Sequence, residues 1–599
     1  MRRNRPRSPR PPLRDAPRRR PPAGRAGRES GRFPFPLAQL LREIDGASYG
    51  AYRRIVGVHE IGEFTLVVDR VPADPFGGAA RMRVRVRRDT ARLPRDLAAD
   101  PARRVGVEDY LARAVEEAVR GPMGWGARVP PGTGRAFPEP PGPAVVERSC
   151  CRIDGESIEL RLFVDLPALD RRVRGLGAEQ LLLGDLPRLA KSTMLFSARR
   201  TEEALRHAGA VEDHAALQRA LSERGLSAFV GDGSLLARAS GSDGGARRDG
   251  REVAFESPSS LAVEIDLPRA GRVRGMGIPA GVTLVVGGGF HGKSTLLDAI
   301  AAGVRPHPPG DGRERVAALP ATVAVRTEPG RIVRRTDVSA FLLAPPTGDC
   351  PADYSTDAAS GAVSEAASVA EAIEAGARVL LFDEDTSAAR FLVRDGRMQR
   401  LVPRPGEPIV ALADRARDLY DRLGISTILA TGGSADCLDA AHTVIRMREW
   451  RAEDATPAAG EVLSSTRSTR IRETLPALRA PASREASLDL GAENARTGLH
   501  GPRGIRLGDE TVDLSALGQI TEAGEARALA LLLREASRRP GTGVTGLLND
   551  LERWLDAGGL DALDPPAAYD LARPRRFEIA AALFRCRALR VRRPDLGPR

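Results

Sequence analysis

The 599-residue sequence contains little cysteine, almost no lysine and few aromatic residues. Its five cysteines provide neither a disulfide framework nor a CxxC metal pair, because only Cys150 and Cys151 are close in sequence. No segment has the roughly 18–20 uninterrupted apolar residues that a membrane-spanning helix needs. These absences exclude a disulfide-stabilised secreted domain and predict a cytoplasmic protein without membrane spans.

Positive charge is concentrated at the two ends of the chain. Residues 1–32 contain twelve arginines and seven prolines and carry a net charge of +10, and residues 573–599 carry +7. Because the whole chain carries +12, residues 33–572 have a net charge of −5. The composition of residues 1–32 predicts a disordered Arg/Pro-rich tail. This tail is either a phosphate-binding arm or, as the alternative, a product of coding bias or of a misplaced start codon. We therefore expect any contact with RNA or DNA to be made by the basic N-terminal and C-terminal segments of the chain.

Lysine occurs only at Lys191 and Lys293, against 89 arginines, and Lys293 lies in a phosphate-binding motif of the form GxxxxGK[ST]. The motif follows an apolar strand at 281–286 and precedes a helical segment at 294–300. We expect the glycine loop and Lys293 to bind the phosphates of ATP, and the Ser294 hydroxyl to bind Mg²⁺. A chance glycine-rich turn is the alternative. The predicted nucleotide-binding residues are Gly287, Gly288, Gly289, Phe290, His291, Gly292, Lys293, Ser294 and Thr295.

Two acidic residues end a second apolar strand about ninety residues later, in the run Val379-Leu380-Leu381-Phe382-Asp383-Glu384. P-loop ATPases place a magnesium-holding aspartate and a water-orienting residue at such a strand end. We therefore expect Asp383 to hold Mg²⁺ and Glu384, together with Lys293, to act in catalysis. Without the phosphate-binding motif, Asp383 and Glu384 would be interpreted as two solvent-exposed carboxylates at the end of a strand.

A Ser-Gly pair precedes a helical segment 23 residues before Asp383. Ser360 and Gly361 resemble a degenerate form of the signature motif of ABC-class ATPases, and residues 385–388 follow Glu384 in the position of the dimer-contacting loop of that class. The resemblance implies that Ser360 and Gly361 contact the γ-phosphate of ATP held by a second copy. As a bare helix cap, the pair would carry no functional meaning.

Longer segments extend this similarity to most of the chain. The runs GMGIPAGVTLVVGGGFHGKSTLLDAI, STDAASGAVSEAASVAEAIEAGARVLLFDEDTSAARFLVRDGRMQRLV and STILATGGSADCLDAAHTVIRM resemble the predicted ATPases of the ABC class, and segments such as IDGASYGAYRRIVG and RPRRFEIAAALFRCRALRV resemble their flanking domains. The resemblance covers residues 37–599. It implies a homodimer that binds ATP and Mg²⁺ between its two subunits.

The sequence departs from transporter-type ABC domains at two points. The switch histidine expected after the strand at 428–431 is replaced by Gly432-Gly433-Ser434, and His442 lies ten residues too late. The segment between Lys293 and Glu384 contains no glutamine, so the Q-loop residue that couples nucleotide to a partner domain is absent. The residues that position water stay unassigned, and we expect slow hydrolysis.

These patterns predict an α/β fold with a P-loop ABC-type ATPase core, an α+β N-terminal domain and a mostly helical C-terminal domain. The predicted ranges are 1–32 for the tail, 33–254 for the N-terminal domain, 255–450 for the core, 451–505 for a linker or irregular excursion, and 506–599 for a helical basic domain. Within the N-terminal domain, residues 81–88 alternate Arg with apolar residues, which is typical of a half-buried strand. Its arginine row has two interpretations, a solvated face or a phosphate-tracking surface.

The leading functional hypothesis is an ATPase that closes and opens as a dimer and acts on nucleic acid, with RNA favoured over DNA. A nucleotide-gated binding scaffold with incidental hydrolysis is the alternative, and a transporter energy module is disfavoured by the absent Q-loop glutamine and spans. In the C-terminal domain, we expect an arginine cluster at the end of a helix over 577–591 to contribute to nucleic-acid binding. The cluster contains Arg585, Arg587, Arg590, Arg592 and Arg593.

Overall fold

The structure is a computed structural model, and it describes most of the chain between residues 36 and 593. The described residues are 36–121, 123–125, 133–239, 245–247, 250–404, 406–433, 435–466, 470–471, 473–481, 484–490, 496–501, 503–539, 542–564 and 568–593. The predicted tail at 1–32 lies outside them. Among these residues, we find no helix with the length and apolar character needed to span a bilayer.

An antiparallel sheet with helices packed against it forms the N-terminal domain. The sheet has the order β1-β2-β3-β6-β4, and β5 also pairs with β6. The elements are α1 (Pro36–Glu43), β1 (Gly57–Ile61), β2 (Phe64–Arg70), β3 (Ala80–Arg87), α2 (Arg88–Ala91), α3 (Pro101–Arg120), β4 (Arg135–Phe137), β5 (Cys151–Ile153), β6 (Ser157–Asp165), β7 (Ala168–Leu169), β8 (Arg172–Val173), α4 (Gly175–Glu179), α5 (Leu186–Met194) and α6 (Ala198–Glu223).

The half-buried strand predicted at 81–88 is confirmed as β3, whose side chains alternate between buried and partly exposed. Its arginine row is a solvated face only at Arg87, which is exposed, since the other three members form ion pairs with carboxylates, Arg81 with Asp564 at 3.8 Å. Arg83 contacts Asp69 at 2.6 Å and Glu159 at 3.2 Å, and Arg85 also pairs with Glu159. Because their charge is neutralised within the domain, Arg83 and Arg85 are not available to follow a phosphate backbone.

The central domain combines two sheets, one antiparallel with the order β10-β11-β9-β13 and one largely parallel with the order β14-β17-β18-β12-β19-β20. Its elements are β9 (Leu226–Gly231), β10 (Ala262–Leu267), β11 (Gly271–Pro279), β12 (Val282–Val286), α7 (Lys293–Ala302), β13 (Val316–Ala318), β14 (Thr322–Ala324), β15 (Val333–Thr336), β16 (Tyr354–Thr356), α8 (Gly361–Glu374), β17 (Val379–Asp383), α9 (Ala389–Leu392), α10 (Gly396–Leu401), α11 (Leu412–Leu423), β18 (Ser426–Thr431), β19 (Thr443–Arg448), β20 (Arg451–Asp454) and α12 (Thr456–Ser465).

The strands of the parallel sheet are apolar on both faces, as expected for a sheet covered on both sides. Val285, Leu381 and Ile428 pack with α7 and the antiparallel sheet. Their neighbours Leu380 and Leu429 pack on the opposite side, in a cluster that includes α8 and the C-terminal helices. The sheet therefore lies between the phosphate-loop helix on one side and the signature-like helix on the other.

Two predicted domain boundaries require correction. β9 precedes residue 255 but pairs with both β11 and β13, so this sheet is completed by a strand that the prediction assigned to the N-terminal domain. Likewise, β20 follows residue 450 but pairs with β19 and completes the edge of the parallel sheet. Backbone pairing over long sequence separations is not visible in local composition, which explains both errors.

The C-terminal part of the chain contains three longer helices and several short strands. The helix predicted over 577–591 is wrong after Phe584, because residues 589–592 form a strand that pairs with residues 485–488. The elements are β21 (Glu485–Leu488), β22 (Thr497–Leu499), β23 (Gly504–Leu507), β24 (Glu510–Asp513), α13 (Ala523–Ala536), β25 (Thr542–Gly543), α14 (Val544–Gly558), α15 (Arg576–Phe584) and β26 (Leu589–Arg592).

The segment predicted as a linker at 451–505 is packed into the protein through a buried arginine. Arg484 is 2% exposed, and its backbone and guanidinium N–H groups donate to the carboxylate of Glu374 at 2.6–2.9 Å. It also donates to the Thr336 hydroxyl at 2.7 Å. The described residues between 470 and 484 form no helix or strand, and Arg484 anchors this irregular segment to the end of α8.

We expect Arg484→Met to lower the free energy of unfolding by about 3–5 kcal/mol, because it leaves the buried Glu374 carboxylate without its charge partner. Urea unfolding curves would measure the loss. Arg272→Met is the matched control: Arg272 is 67% exposed and pairs with the exposed Asp266, so the change should leave the unfolding curve nearly unchanged. Equal effects of the two substitutions would contradict the anchoring role of Arg484.

Candidate functional site

The phosphate-binding loop connects β12 to α7 at the carboxyl edge of the parallel sheet. β12 lies between β18 and β19, so the loop emerges from the middle of the sheet. Its backbone adopts left-handed conformations at Gly287 (φ +144°), Phe290 (φ +61°) and Gly292 (φ +94°). At Gly287, an added Cβ would overlap the backbone oxygen of Met447. The glycines of the motif thus allow a turn that most side chains would prevent.

Lys293 begins α7 and folds its ammonium group back over the loop. Its Nζ donates to the backbone oxygens of Gly287 at 2.9 Å and Gly288 at 2.8 Å. The first backbone N–H groups of α7 face the same space, and a helix N-terminus favours anions. The loop is braced by His291, whose Nδ1 accepts a hydrogen bond from the backbone N–H of Glu449 at 2.7 Å. This arrangement forms a positively polarised cradle suited to a phosphate chain.

Ser294 and Asp383 line one cavity of about 520 Å³ beside the loop. Asp383 ends β17, and its Oδ1 accepts a hydrogen bond from the backbone N–H of Asp385 at 3.2 Å. A hydroxyl and a carboxylate are oxygen donors of the kind that Mg²⁺ uses together with phosphate oxygens and water. These two residues therefore fit a nucleotide-bound Mg²⁺. Within the described part of the chain, we find no cluster of three His, Cys, Asp or Glu residues that could hold a metal on its own.

Glu384 is held by the residues that replace the expected switch histidine. Its Oε2 accepts hydrogen bonds from the Thr431 hydroxyl at 2.8 Å and from the backbone N–H groups of Gly432 at 2.6 Å and Gly433 at 3.0 Å. Burial by itself would raise the pKa of Glu384, but these hydrogen bonds and the charge of Lys293 outweigh it and lower the pKa. Glu384 is therefore fixed in its ionised form.

A side chain at position 433 would disturb this arrangement, because an added Cβ would lie 2.6 Å from the Oε1 atom of Glu384. Glycine therefore allows the backbone N–H to approach the carboxylate directly. Sequence reasoning missed the role of Thr431–Gly433, although the Gly-Gly pair after a buried strand was a visible signal. His442 has a different role, since its Nδ1 accepts a hydrogen bond from the backbone N–H of Val282 at 2.9 Å.

The signature-like pair lies at the start of α8, as predicted. Ser360 is the exposed N-cap residue, and its hydroxyl accepts a hydrogen bond from the backbone N–H of Val363 at 3.5 Å. Gly361 packs closely on the segment after β14, where an added Cβ would lie 2.7 Å from the Thr327 hydroxyl. One turn along the helix, Glu365 accepts a hydrogen bond from the backbone N–H of Ala388 at 2.7 Å. The pair is thus tied to the loop at 385–388 and faces solvent.

A second cavity, of about 300 Å³, lies on the other side of the phosphate loop. Gly292 and Thr295 form its wall toward the loop, and the aromatic residues Phe255 and Trp450 also line it. Trp450 lies in the turn between β19 and β20 and contacts the loop, since an added Cβ at Gly292 would lie 2.7 Å from its ring. This cavity was not predictable from the sequence, because Phe255 and Trp450 are 195 positions apart in the chain.

The predicted arginine cluster near the C-terminus does not form one surface. Arg585 is buried and pairs with Glu328, and Arg593 is 3% exposed and donates to the backbone oxygen of Ala352. The other three members are exposed, and two of them alternate along β26. These three are Arg587, Arg590 and Arg592. The prediction of a five-residue basic patch is therefore wrong for Arg585 and Arg593, which stabilise the fold.

Two solved structures of proteins from ABC transporters match this chain, and both superpose poorly on it. MJ1267, an ATP-binding cassette of an ABC transporter solved in an ADP conformation, is 13% identical to this chain, and the TM-score is 0.24. The match covers 40% of this chain and 95% of MJ1267. CbiO1 from Clostridium perfringens is 16% identical, with a TM-score of 0.22 and coverages of 34% and 89%.

A curated relative from Methanocaldococcus jannaschii, the uncharacterized protein MJ1628, is 31% identical over 193 residues. The match covers 31% of this chain and spans only 41% of the relative's length.

Three family models match consecutive parts of the chain. A model of the MRB1590 C-terminal domain matches residues 496–592. A model of the N-terminal domain of ATPases of the ABC class matches residues 36–197. A model of the P-loop domain of these ATPases matches residues 200–484, a range that includes β9 and β20. The order of the models follows the order of the domains in the structure, and the chain belongs to the ABC-class ATPases.

Proposed function

We propose that this protein binds ATP with Mg²⁺ and hydrolyses ATP at an interface between two copies of the chain. The observation that carries the proposal is the Glu384 carboxylate, held by hydrogen bonds from Thr431, Gly432 and Gly433 beside the phosphate loop. In this proposal Lys293 binds the β- and γ-phosphates, and Ser294 and Asp383 hold Mg²⁺. When bound, Mg²⁺ would neutralise negative charge on the phosphate oxygens.

The environment of Glu384 favours the orientation of water over strong base catalysis. A carboxylate whose pKa is lowered by hydrogen bonds is a weak proton acceptor near neutral pH. Its free lone pairs can still align an attacking water molecule. This chemistry agrees with the slow hydrolysis that the sequence predicts.

The aromatic cavity beside the loop supports recognition of the nucleobase. Phe255 and Trp450 face a space of about 300 Å³ that begins at Gly292 and Thr295, directly beside the phosphate site. Aromatic rings offer faces for base stacking, which contributes about 1–3 kcal/mol for each stacked base. We therefore place the adenine of ATP in this cavity and its phosphates on the loop.

Exposure of the signature-like pair and of the loop itself supports a dimer. Ser360 faces solvent at the start of α8. The Phe290 ring, within the phosphate loop, is 100% exposed. A second copy would cover this ring and bring its own Ser360 to the γ-phosphate. The alternative function, a nucleotide-gated binding scaffold, uses the same ATP-binding site. It differs from the ATPase only in that ATP hydrolysis has no role.

We propose that nucleic acid, with RNA favoured, binds through the basic ends of the chain. Residues 1–32 carry +10, and Arg587, Arg590 and Arg592 are exposed. Few aromatic residues are present in the sequence to stack on bases, so the contact would be mainly with phosphates. Because Arg585 and Arg593 are buried, we assign most of this proposed role to the N-terminal segment.

Lys293→Ala should abolish measurable ATP binding, with a loss of at least about 100-fold, because two charge-assisted contacts with phosphate oxygens disappear. Equilibrium binding of a fluorescent ATP analogue would measure the effect. The other lysine provides the matched control: Lys191→Ala removes an exposed ammonium on α5 and should leave binding unchanged. Normal ATP affinity in Lys293→Ala would disprove the phosphate-loop assignment.

Glu384→Gln should preserve ATP binding, block hydrolysis and accumulate an ATP-bound dimer. The amide oxygen can still accept hydrogen bonds from Gly432 and Gly433, but the negative charge that orients water is lost. Phosphate release and light scattering after size exclusion, each with ATP and with ADP, would test this. Hydrolysis at the normal rate would assign the role to another residue, whereas nucleotide-dependent dimerisation in a wild-type protein that never hydrolyses ATP would favour the scaffold alternative.

Deletion of residues 1–32 should weaken RNA binding and flatten its salt dependence without changing the basal ATPase rate. Each neutralised single-strand phosphate contributes about −0.7 to the log–log slope of affinity against salt. Salt titrations of full-length and truncated protein on one labelled RNA would measure the change, and Arg590→Gln with Arg592→Gln would test the β26 contribution. If the full-length protein binds neither RNA nor DNA at low ionic strength, the nucleic-acid proposal fails.

A further inference from the structure

One arginine lies at the carboxyl edge of the parallel sheet in the region where transporter-type cassettes carry the Q-loop glutamine. β14 pairs in parallel with β17, so that Ala324 lies opposite Leu381. The pairing extends one residue further, because the backbone N–H of Val325 donates to the Leu381 oxygen at 2.9 Å. The next residue, Arg326, therefore emerges at the level of Asp383.

Arg326 lines the same cavity as Ser294 and Asp383, the two residues proposed to hold Mg²⁺. It is partly buried. Its position also brings its charge near Asp298 on α7, where it opposes the rise that burial causes in the pKa of that carboxyl. Arg326 thus lines the cavity in which we place Mg²⁺ and the terminal phosphates of ATP.

The other arginines around this cavity have partners within the protein, whereas Arg326 has none among the described residues. Arg238 forms an ion pair with Asp311 at 2.7 Å, and Arg305 pairs with Glu525. Arg313 donates to the backbone oxygen of Leu236 at 3.2 Å. No hydrogen bond or ion pair of Arg326 occurs within the described parts of the chain. The Asp298 carboxyl is near enough to feel the Arg326 charge, but it accepts no hydrogen bond from Arg326. A partly buried guanidinium whose N–H groups have no acceptor in the protein is suited to bind an anion.

The C-terminal domain holds Arg326 in this position. The guanidinium lies against Gly518, where an added Cβ would be 3.1 Å from the Cζ atom of Arg326. The neighbouring Gln519 accepts a hydrogen bond from the backbone N–H of Ala324 at 3.0 Å and donates to the Ala301 oxygen at 3.0 Å. Gln519 therefore fixes the end of β14 relative to the end of α7, and with it the base of the Arg326 side chain.

We propose that Arg326 is a catalytic residue that binds the γ-phosphate of ATP and stabilises the charge that develops on it during hydrolysis. The inference rests on the proposed ATPase function. In the reaction, the water oxygen bonds to the γ-phosphorus while the bond from that phosphorus to the bridging oxygen breaks, and the bond's electron pair leaves with ADP. One water proton remains on the hydrogen phosphate and the other is released. A guanidinium can donate two parallel hydrogen bonds to the γ-phosphate oxygens throughout this change.

Three variants in the full-length protein test this role. Arg326→Gln removes the charge and supplies the amide that transporter-type cassettes have in their Q-loop. Arg326→Lys keeps the charge without the planar pair of donors. Arg272→Gln is the matched control, since Arg272 is 67% exposed and lies on β11. The measurements are kcat and KM for ATP, and trapping of ADP with aluminium fluoride, which imitates the transferring phosphoryl group.

Arg326→Gln should lower kcat by at least about 100-fold, change KM by less than about threefold and abolish trapping of ADP with aluminium fluoride. Arg326→Lys should recover part of kcat, a rescue that shows the variant site is folded. Arg272→Gln should behave as wild type. These results would separate a contact made in the transition state from a general loss of nucleotide binding.

Wild-type kcat and trapping in Arg326→Gln would overturn the inference while the ATPase function stands. A rise in KM equal to that of Lys293→Ala, with kcat unchanged, would also overturn it, because Arg326 would then bind ATP without stabilising the transition state. If the wild-type protein binds ATP but never hydrolyses it, the proposed ATPase function fails and this inference fails with it.

Discussion

The parallel direction of β14, β17, β18, β12 and β19 is the constraint on which the site depends. The carboxyl ends of parallel strands meet at one edge of a sheet, where open α/β folds bind their ligands. Each of these strands delivers one part of the site there. The parts of the proposed site are Arg326 after β14, Asp383 and Glu384 at the end of β17, Thr431–Gly433 at the end of β18, Gly287–Lys293 after β12, and Trp450 after β19.

The use of backbone N–H groups to hold Glu384 changes the chemistry of the site. A histidine at the end of β18 would titrate between about pH 5 and 8, and its charge would change the hydrogen bonding of the catalytic water. The N–H groups of Gly432 and Gly433 do not titrate, so the contact to Glu384 is independent of the charge state of a neighbouring ring. The requirement for glycine at 433 follows from this close approach.

Features encoded in short segments could be predicted from the sequence, whereas features formed by distant residues could not. The phosphate loop was predictable because its glycines, Lys293 and the flanking strand and helix lie within twenty residues of one another. The helix after Ser360 and the alternation in β3 were equally local. By contrast, the Glu384–Gly432 contact spans 48 residues and the Phe255–Trp450 cavity spans 195. The role of Arg585 depended on its pairing with Glu328, 257 residues away.

The segment after β14 links the nucleotide site to the C-terminal domain. The Thr327 N–H donates to the Thr386 oxygen at 3.0 Å, and the Glu328 N–H donates to the Ser364 hydroxyl of α8 at 2.9 Å. On its other side, Glu328 pairs with the buried Arg585. Moving the segment away from Arg585 would leave a buried charge unpaired, which costs several kcal/mol. The loop at 385–388, the signature-like helix and the C-terminal domain are therefore constrained to shift together, and in transporter-type cassettes the equivalent segment instead couples nucleotide to a separate partner domain.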